Sequence, residues 1–358
     1  VTYHNFEVLT SDFYNTQLKY SVNPGRSYKA LEVSLFAQDE ITVFSDLKTN
    51  VGMRFYYYNE GKLYGWEPRV SFTYYAFDRL VLRGSFAIAN QPIHLLARND
   101  VYLPTDVWFP STATIKPARS MQGAFGFEAT SADKTFLFTL EGYYKDLENL
   151  YEYKEDADFA YSSNYERQLT TGRGEAYGVE LFFNKRIGNI TGWFGYTLSW
   201  TKRYFDDLNR SEPFYPQFDR RHDVSVVLSW QPSTTISFAA TWNYSTGKAF
   251  PLPIMQYSFL GMNNAKENEN EVFYEYSARD AFRLPAFHKL DLSVNYILKW
   301  NDKDVELSLN IYNVYNRFNV FSKYVGYKTD EATGIRTPIL KQFTLYPFLP
   351  SLGIKVHL

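Results

Sequence analysis

The chain has 358 residues, of which 45% are hydrophobic and 19% aromatic, and its 37 basic and 39 acidic residues leave a formal net charge of -2. This charge balance gives no electrostatic case for nucleic-acid binding, and the lack of cysteine excludes disulfides, thiol nucleophiles and thiolate metal sites. No apolar run approaches the roughly 18 residues that a membrane-spanning helix needs, which excludes a helical membrane protein.

Alternation of large apolar residues with small or polar ones predicts about fourteen strands. In chain order they are 1–9, 30–43, 48–58, 66–76, 80–90, 119–130, 135–146, 174–186, 190–202, 220–230, 235–246, 286–299, 304–316 and 350–358. Most have roughly 10–13 residues, which is enough to cross a bilayer when the strand is tilted.

Short turns join these strands in pairs, whereas their other ends are joined by long segments. The long segments are 10–29, 91–118, 147–173, 203–219, 247–285 and 317–349. Short turns on one side and long loops on the other are typical of a bacterial outer-membrane barrel, in which the long loops are extracellular.

Residues 190–203 show the two-faced pattern most clearly. Phe194, Leu198 and Trp200 fall on one parity, and Thr197 and Ser199 fall on the other. A soluble sandwich would turn its apolar face inward, but these strands are too many and too rich in aromatics for one filled interior. We therefore predict an all-β fold, a transmembrane antiparallel β-barrel with lipid outside and with water or protein inside.

The sequence predicts no enzyme, no cofactor and no metal site. The five histidines are scattered, without an H-E-x-x-H pair, and no G-x-S-x-G elbow occurs. Two acidic segments, 146–158 and 267–275, lack the ordered ligand spacing of a Ca²⁺ loop, so we interpret them as solvated loops.

Substrate contacts are expected from two kinds of side chain. Loop aromatics can stack on sugars, flat chelates or a partner's apolar surface, although packing of the loops against each other is the alternative explanation. Polar side chains on the lumen parity are the second kind. The candidates are Trp108, Tyr151, Tyr153 and Tyr274 in the loops, and Lys289, Asp291, Asn295, Glu306 and Asn310 in the lumen.

Six short stretches, each weak alone, occur in a characteristic order. They are Phe36-Ala37-Gln38-Asp39-Glu40, Trp66-Glu67-Pro68-Arg69, Ile115-Lys116-Pro117-Ala118-Arg119-Ser120, Gly174-Glu175-Ala176-Tyr177-Gly178-Val179-Glu180, Phe218-Asp219-Arg220-Arg221-His222-Asp223 and Asn313-Val314-Tyr315-Asn316. Together they resemble the C-terminal barrel portion of a TonB-dependent outer-membrane receptor, of the kind abundant in Bacteroidota. We interpret Arg220, Arg221 and Asp223 as a rim ion-pair network, with a role in ligand binding as the alternative.

The resemblance implies a barrel of about twenty-two strands, in which residues 1–358 form the C-terminal part and an N-terminal plug and the first strands are missing. It also implies an outer-membrane location and TonB-dependent active uptake of a nutrient or chelate. TonB–ExbB–ExbD would act through a missing N-terminal segment, and a surface lipoprotein is a further candidate partner.

Three other functions stay open. The chain could be a complete passive channel of about fourteen strands. It could be a transport-inactive barrel that serves as an interaction or assembly component. A soluble lectin-like β protein is a more distant alternative.

Overall fold

Fourteen antiparallel strands form one continuous sheet. The computed structural model describes residues 1–8, 26–96, 107–155, 157, 165–259, 271–276, 278–279, 281–300, 303–330, 334 and 336–356. The sheet strands are β1 Thr2–Val8, β2 Arg26–Phe44, β3 Leu47–Tyr58, β4 Leu63–Phe77, β5 Leu80–Gln91, β6 Ala118–Thr130, β7 Phe136–Tyr153, β8 Leu169–Lys185, β9 Ile190–Tyr204, β10 His222–Trp230, β11 Ile236–Ser245, β12 Phe287–Trp300, β13 Lys303–Tyr312 and β14 Leu349–Val356. Each predicted strand has its counterpart among them.

Each strand pairs with its neighbours in chain order, so the sheet is an up-and-down meander from β1 to β14. In the β8–β9 pair, Tyr177 lies opposite Trp200 and Phe183 lies opposite Phe194. Because directly opposed residues share a face, the period-two pattern of one strand continues in the next. β1 and β14 are the two edges of the sheet, and within the described ranges no ladder joins them.

One face of the sheet is apolar. Leu140, Leu181, Tyr196 and Val224 follow one another in register across β7 to β10. On the same face Leu228 is 51% exposed. A sheet-wide apolar surface of this kind requires apolar surroundings rather than water.

The opposite face is polar. The next register row places Glu141, Glu180, Thr197 and Asp223 in a line across the same four strands. The predicted division of the strands into an apolar and a polar parity is therefore confirmed by the strand pairing.

Aromatic rings stack at two levels of the apolar face. Near the long connections, Tyr177 stacks with Tyr144 and Trp200, with ring centroids 6.4 and 5.4 Å apart. Near the short turns, Phe136 stacks on Phe183 at 5.7 Å, and Trp230 stacks on Phe238 at 5.1 Å. Two aromatic levels with aliphatic residues between them match the girdles of a transmembrane barrel.

The connections at the two ends of the sheet differ in length, as the sequence predicted. Short turns join β2 to β3 and β4 to β5 at one end of the sheet. Between β6 and β7, the carboxylate of Asp133 accepts hydrogen bonds from the hydroxyls of Ser131 and Thr135, both at 2.6 Å, which closes the turn. Most connections at the opposite end are long.

The connection between β3 and β4 is the exception at that end, since it consists only of Asn59 and the 3₁₀ turn Glu60–Lys62. Gly61 has a left-handed φ of 68°. A Cβ at this position would lie 2.6 Å from the carbonyl carbon of Thr112. Glycine therefore permits both the sharp turn and the close approach of the segment after β5.

Hairpins extend from several long connections. The pairs are Ile93–Leu96 with Val107–Pro110, Ala249–Phe250 with Phe282–Arg283, Pro253–Phe259 with Glu271–Tyr276, and Val320–Thr329 with Arg336–Thr344. Among the described residues, no helix is long and apolar enough to span a membrane.

Two strands extend well beyond their predicted ends. β7 continues to Tyr153 and β8 begins at Leu169, so much of the predicted loop 147–173 is strand. A register shift between Gly172 and Gly174 interrupts the alternation but not the ladder, which is why the pattern hid this extension. β13, in contrast, ends early because Asn313 adopts a left-handed φ of 52°.

Candidate binding surfaces of the polar face and the long connections

Glu67 on β4 is only 1% exposed although it lies on the polar face. Arg54 on β3 donates hydrogen bonds to Glu67 at 2.9 Å and to Glu32 on β2 at 2.7 Å. The backbone N–H of Asn90 on β5 donates to the second oxygen of Glu67 at 2.7 Å. This network of charge-assisted bonds joins four strands across the polar face and fixes a guanidinium between two carboxylates.

A buried cluster surrounds the hairpin Ile93–Leu96 with Val107–Pro110. Leu96, Phe109, Ile115 and Leu169 form its centre. The ring of His94 stacks on Phe109 at 4.8 Å. This cluster fixes the first long hairpin against the starts and ends of neighbouring strands.

His94 in this cluster is only 7% exposed, and its Nε2 lies 2.9 Å from the hydroxyl of Ser111. Burial lowers the pKa of His94 to about 4, so its imidazole is neutral at neutral pH. A serine beside a histidine is the pairing of a nucleophile and its base. Ser111 is 0% exposed, however, so no substrate can reach it and the pair has a structural role.

A second polar cluster lies where the segment after β9 re-enters the sheet. Asp219 is 1% exposed and forms a salt bridge with Arg283. The other oxygen of Asp219 accepts a hydrogen bond from the backbone N–H of Thr201 at 2.8 Å. The guanidinium of Arg221 lies 4.0 Å from Asp219 and 4.5 Å from the ring centroid of Trp200. Arg221 therefore belongs to an ion-pair network, but its carboxylate partner is Asp219 rather than the predicted Asp223. The predicted Arg220 donates instead to the hydroxyl of Ser245.

The structure places Lys289, Asp291 and Asn310 on the polar face. The ammonium of Lys289 is paired with Asp291 and lies 4.2 Å from the ring centroid of Tyr312. Asp291 also accepts a hydrogen bond from the backbone N–H of Asn313 at 2.9 Å. The Ser293 hydroxyl donates to Asn310 at 2.7 Å.

Asn295 and Glu306 lie farther toward the short turn. Asn295 is opposite Ser308 on β13, and Glu306 is opposite Lys355 on β14. The five predicted lumen residues therefore follow one strip of the polar face at different heights and do not converge on one point.

The predicted loop aromatics fall in different surroundings. Trp108 is 53% exposed, whereas Tyr151 and Tyr153 pack against the cluster of His94. The hydroxyl of Tyr151 accepts a hydrogen bond from the backbone N–H of Lys116 at 2.8 Å. Tyr274 belongs to the strand Glu271–Tyr276, and its side chain lies outside the described residues.

Sequence reasoning missed Arg54, Glu67 and Arg279 as site residues. Arg54 and Glu67 face each other across β3 and β4, and their shared polar parity was a signal that could have found them. Arg279 bonds to Glu152, 127 residues away, and no local pattern indicates that contact.

These surfaces present charged, amide and aromatic side chains in different surroundings. In the part of the chain that the structure describes, no group of three His, Cys, Asp or Glu side chains could hold a metal ion. The polar face offers alternating cations, carboxylates and amides, and the long connections offer aromatics and arginines. A wall of this kind, with an apolar outer face, is typical of an outer-membrane β-barrel.

The chain belongs to the family described as TonB dependent receptor-like, beta-barrel, whose family model matches residues 1–314. Members of this family are outer-membrane transport proteins rather than enzymes, and they interact with TonB. The apolar face of the sheet is accordingly the lipid-facing surface, and the polar face lines the lumen. No curated protein matches the chain.

Several solved structures share the fold. The siderophore receptor PirA from Acinetobacter baumannii has a TM-score of 0.58 at 10% identity, covering 88% of this chain and 47% of PirA. The ferric-catecholate import receptor Fiu from E. coli K12 has a TM-score of 0.58 at 14% identity, covering 94% of this chain and 46% of Fiu. The ferripyoverdine receptor of Pseudomonas aeruginosa has a TM-score of 0.55 at 14% identity, with coverages of 83% and 37%. The chain thus spans less than half the length of each of these receptors.

Proposed function

We propose that the chain is the C-terminal barrel wall of a receptor that actively transports a nutrient or chelate across the outer membrane. The observation that carries this proposal is the two-faced sheet, whose polar lumen wall is joined at one end to long connections that carry hairpins in their described parts. In this proposal the long connections and a plug select the solute, and TonB–ExbB–ExbD drive its passage through an N-terminal segment. The N-terminal plug and further strands belong to the same proposal.

The solute contacts are proposed at two levels. Trp108 is exposed on its hairpin and available for stacking. Lys289 and Asp291 supply charges on the lumen wall, and Asn310 and Ser293 supply polar groups beside them. Tyr151, by contrast, uses its hydroxyl and ring inside the protein, so its proposed role is to support the hairpin that carries Trp108.

Uptake by the full-length protein tests the proposal. Suitable first probes are ferripyoverdine and ferric enterobactin, because receptors of similar fold bind them. Radiolabelled iron accumulation is measured in cells with and without TonB, beside a panel of cobalamin, haem and oligosaccharides. Accumulation of one probe that requires TonB supports active transport. Diffusion of small solutes at equal rates in both strains contradicts it.

A complete channel of about fourteen strands is the first alternative to this function. A closed channel requires β1 to pair with β14, and the described residues show no such ladder. A transport-inactive barrel that docks a lipoprotein is the second candidate. It predicts a stable complex in detergent together with no TonB-dependent uptake of any probe.

A further inference from the structure

Three separate segments meet at the carboxylate of Glu152, near the end of β7. Arg203, at the end of β9, pairs with one oxygen, and Arg279, in the long connection between β11 and β12, donates to the other at 2.8 Å. The Glu152 side chain is only 9% exposed. Because a buried carboxylate with two guanidinium partners is costly to leave partly unpaired, this contact holds the Arg279 segment (278–279 and 281–286) against the sheet ends.

The connection after β9 contains an unusual left-handed turn, Asn209–Ser211. The φ angles of Asn209, Arg210 and Ser211 are 51°, 57° and 61°. Left-handed backbone in non-glycine residues costs about 1–2 kcal/mol each and normally occurs in single residues. Three in succession persist only when surrounding contacts hold them.

Those contacts come from the same segments. The side-chain oxygen of Asn209 accepts a hydrogen bond from the backbone N–H of Arg279 at 2.8 Å. The backbone N–H of Asn209 donates to Glu155, just beyond β7, at 3.0 Å. The guanidinium of Arg279 also lies 5.3 Å from the ring centroid of Phe214, on the far side of the turn. Arg279 therefore bonds to Glu152 through its side chain and to the strained turn through its backbone.

We propose that the left-handed turn and the Arg279 segment form one two-state latch, closed by Glu152. In the closed state Arg279 satisfies Glu152 and holds Asn209 in its left-handed conformation. When Arg279 leaves, Asn209 loses its donor and the turn relaxes to ordinary backbone, so the turn and the Arg279 segment open together. Coupling of this kind is reciprocal, and each element stabilises the other. The latch goes beyond the proposed function and does not depend on which solute is transported.

Hydrogen exchange in the full-length protein, in detergent and in outer-membrane vesicles, tests the coupling. Glu152→Gln keeps the shape of the side chain and removes its charge. We expect protection to fall by about tenfold or more both in peptides covering 278–286 and in peptides covering 205–215. The matched control is Glu148→Gln on the same strand, which removes an exposed ion pair with Arg119 and should change neither region. Loss of protection confined to 278–286 would overturn the proposal.

Arg210→Gly provides an independent test. Its expected result is a gain of protection, which a folding defect cannot produce. Glycine removes the left-handed cost without touching Glu152 or Arg279. We expect protection to rise by about tenfold in the turn and also to rise in peptides covering 278–286. Arg210→Ala is the control, because it removes the side chain and retains the backbone cost. If protection in 278–286 is the same in Arg210→Gly and Arg210→Ala, the two segments open independently and the latch is wrong.

Discussion

The sheet and the long connections of this protein are held by different kinds of interaction. Over most of the sheet, parity sets the surroundings of a side chain. Leu181 and Glu180 are neighbours on β8, yet one lies in the apolar face and the other in the polar face. In the long connections and at the strand ends that they contact, individual polar contacts between distant residues set the structure, as Arg279 and Glu152 at the end of β7 show.

This difference predicts how each region tolerates substitution. A lipid-facing strand residue should accept any replacement that keeps its polarity class, because the ladder is formed by the backbone. A buried polar residue of the long connections should accept almost none, because its partners are left unsatisfied when it changes. Four measurements, taken in order of expected effect, test this contrast.

The largest effect is expected in the sheet when parity is violated. Leu181→Arg places a cation on the lipid-facing surface between the two aromatic levels and should destabilise the barrel by about 2–4 kcal/mol. Thr197→Arg, on the lumen parity opposite Glu180, is the matched control and should cost little. Urea unfolding of the full-length protein in lipid vesicles measures both. Equal destabilisation by the two variants would contradict the assignment of faces.

The next effect is expected in the long connections. Asp219→Asn keeps the shape of a buried side chain but removes the charge that pairs with Arg283. We expect a loss of about 2–3 kcal/mol, visible as local opening of the segment before β10 in hydrogen exchange. Asp206→Asn, at an exposed position in the same connection, serves as the control. Equal opening in the two variants would show that the long connection does not depend on the buried charge of Asp219.

The third effect concerns pH. The folded pKa of His94 is about 4, below its ordinary value of 6.5, so the folded state favours the neutral imidazole. The stability that the folded state gains from the neutral imidazole is fully present above pH 6.5 and is lost as the pH falls from 6.5 towards 4. At pH 5 the loss is about 2 kcal/mol.

Hydrogen exchange in the hairpin Ile93–Leu96 with Val107–Pro110, followed from pH 7 to pH 5, should show this change after correction for intrinsic rates. His94→Gln removes the titrating group and should flatten the pH dependence. A profile that is unchanged in the variant would rule out His94 as its source.

The smallest effect is expected at the exposed pair of Arg119 and Glu148, whose charged atoms lie 2.9 Å apart. Both side chains are largely accessible to solvent, so the pair should contribute less than about 1 kcal/mol. A double-mutant cycle with Arg119→Gln and Glu148→Gln measures the coupling. A coupling energy as large as the loss expected for Asp219→Asn would mean that burial does not explain the difference between the exposed pair and the buried one.

The wall of this protein could be predicted from its sequence because alternation is a local property. The parity of Phe194, Leu198 and Trp200 against Thr197 and Ser199 is visible in a single strand, and backbone pairing then repeats it across the sheet. A β-bulge limits prediction from alternation because it shifts the parity of the strand. The shift near Gly172 hid the extension of β7 towards Tyr153, and with it the reason why Tyr151 and Tyr153 pack inside the protein.

The candidate site was much less predictable. Lys289, Asp291 and Asn310 were chosen by parity, and the structure places them on the polar face, but parity gives neither their heights nor their partners. The contacts of Arg279 depend on how two long connections pass each other in space. Such contacts follow from packing of the whole rim, and nothing within a window of ten or twenty residues encodes them.

The unequal lengths of the first two strands have a practical consequence. β2 has 19 residues, but β1 pairs only with its first part, Arg26 to Glu32. Along 33–44 the outer margin of β2 therefore offers a row of backbone donors and acceptors for which the described residues supply no ladder partner. Such a margin is a template for foreign strands, so this polypeptide expressed alone should aggregate through β2. A synthetic peptide that complements that row should keep it monomeric during refolding.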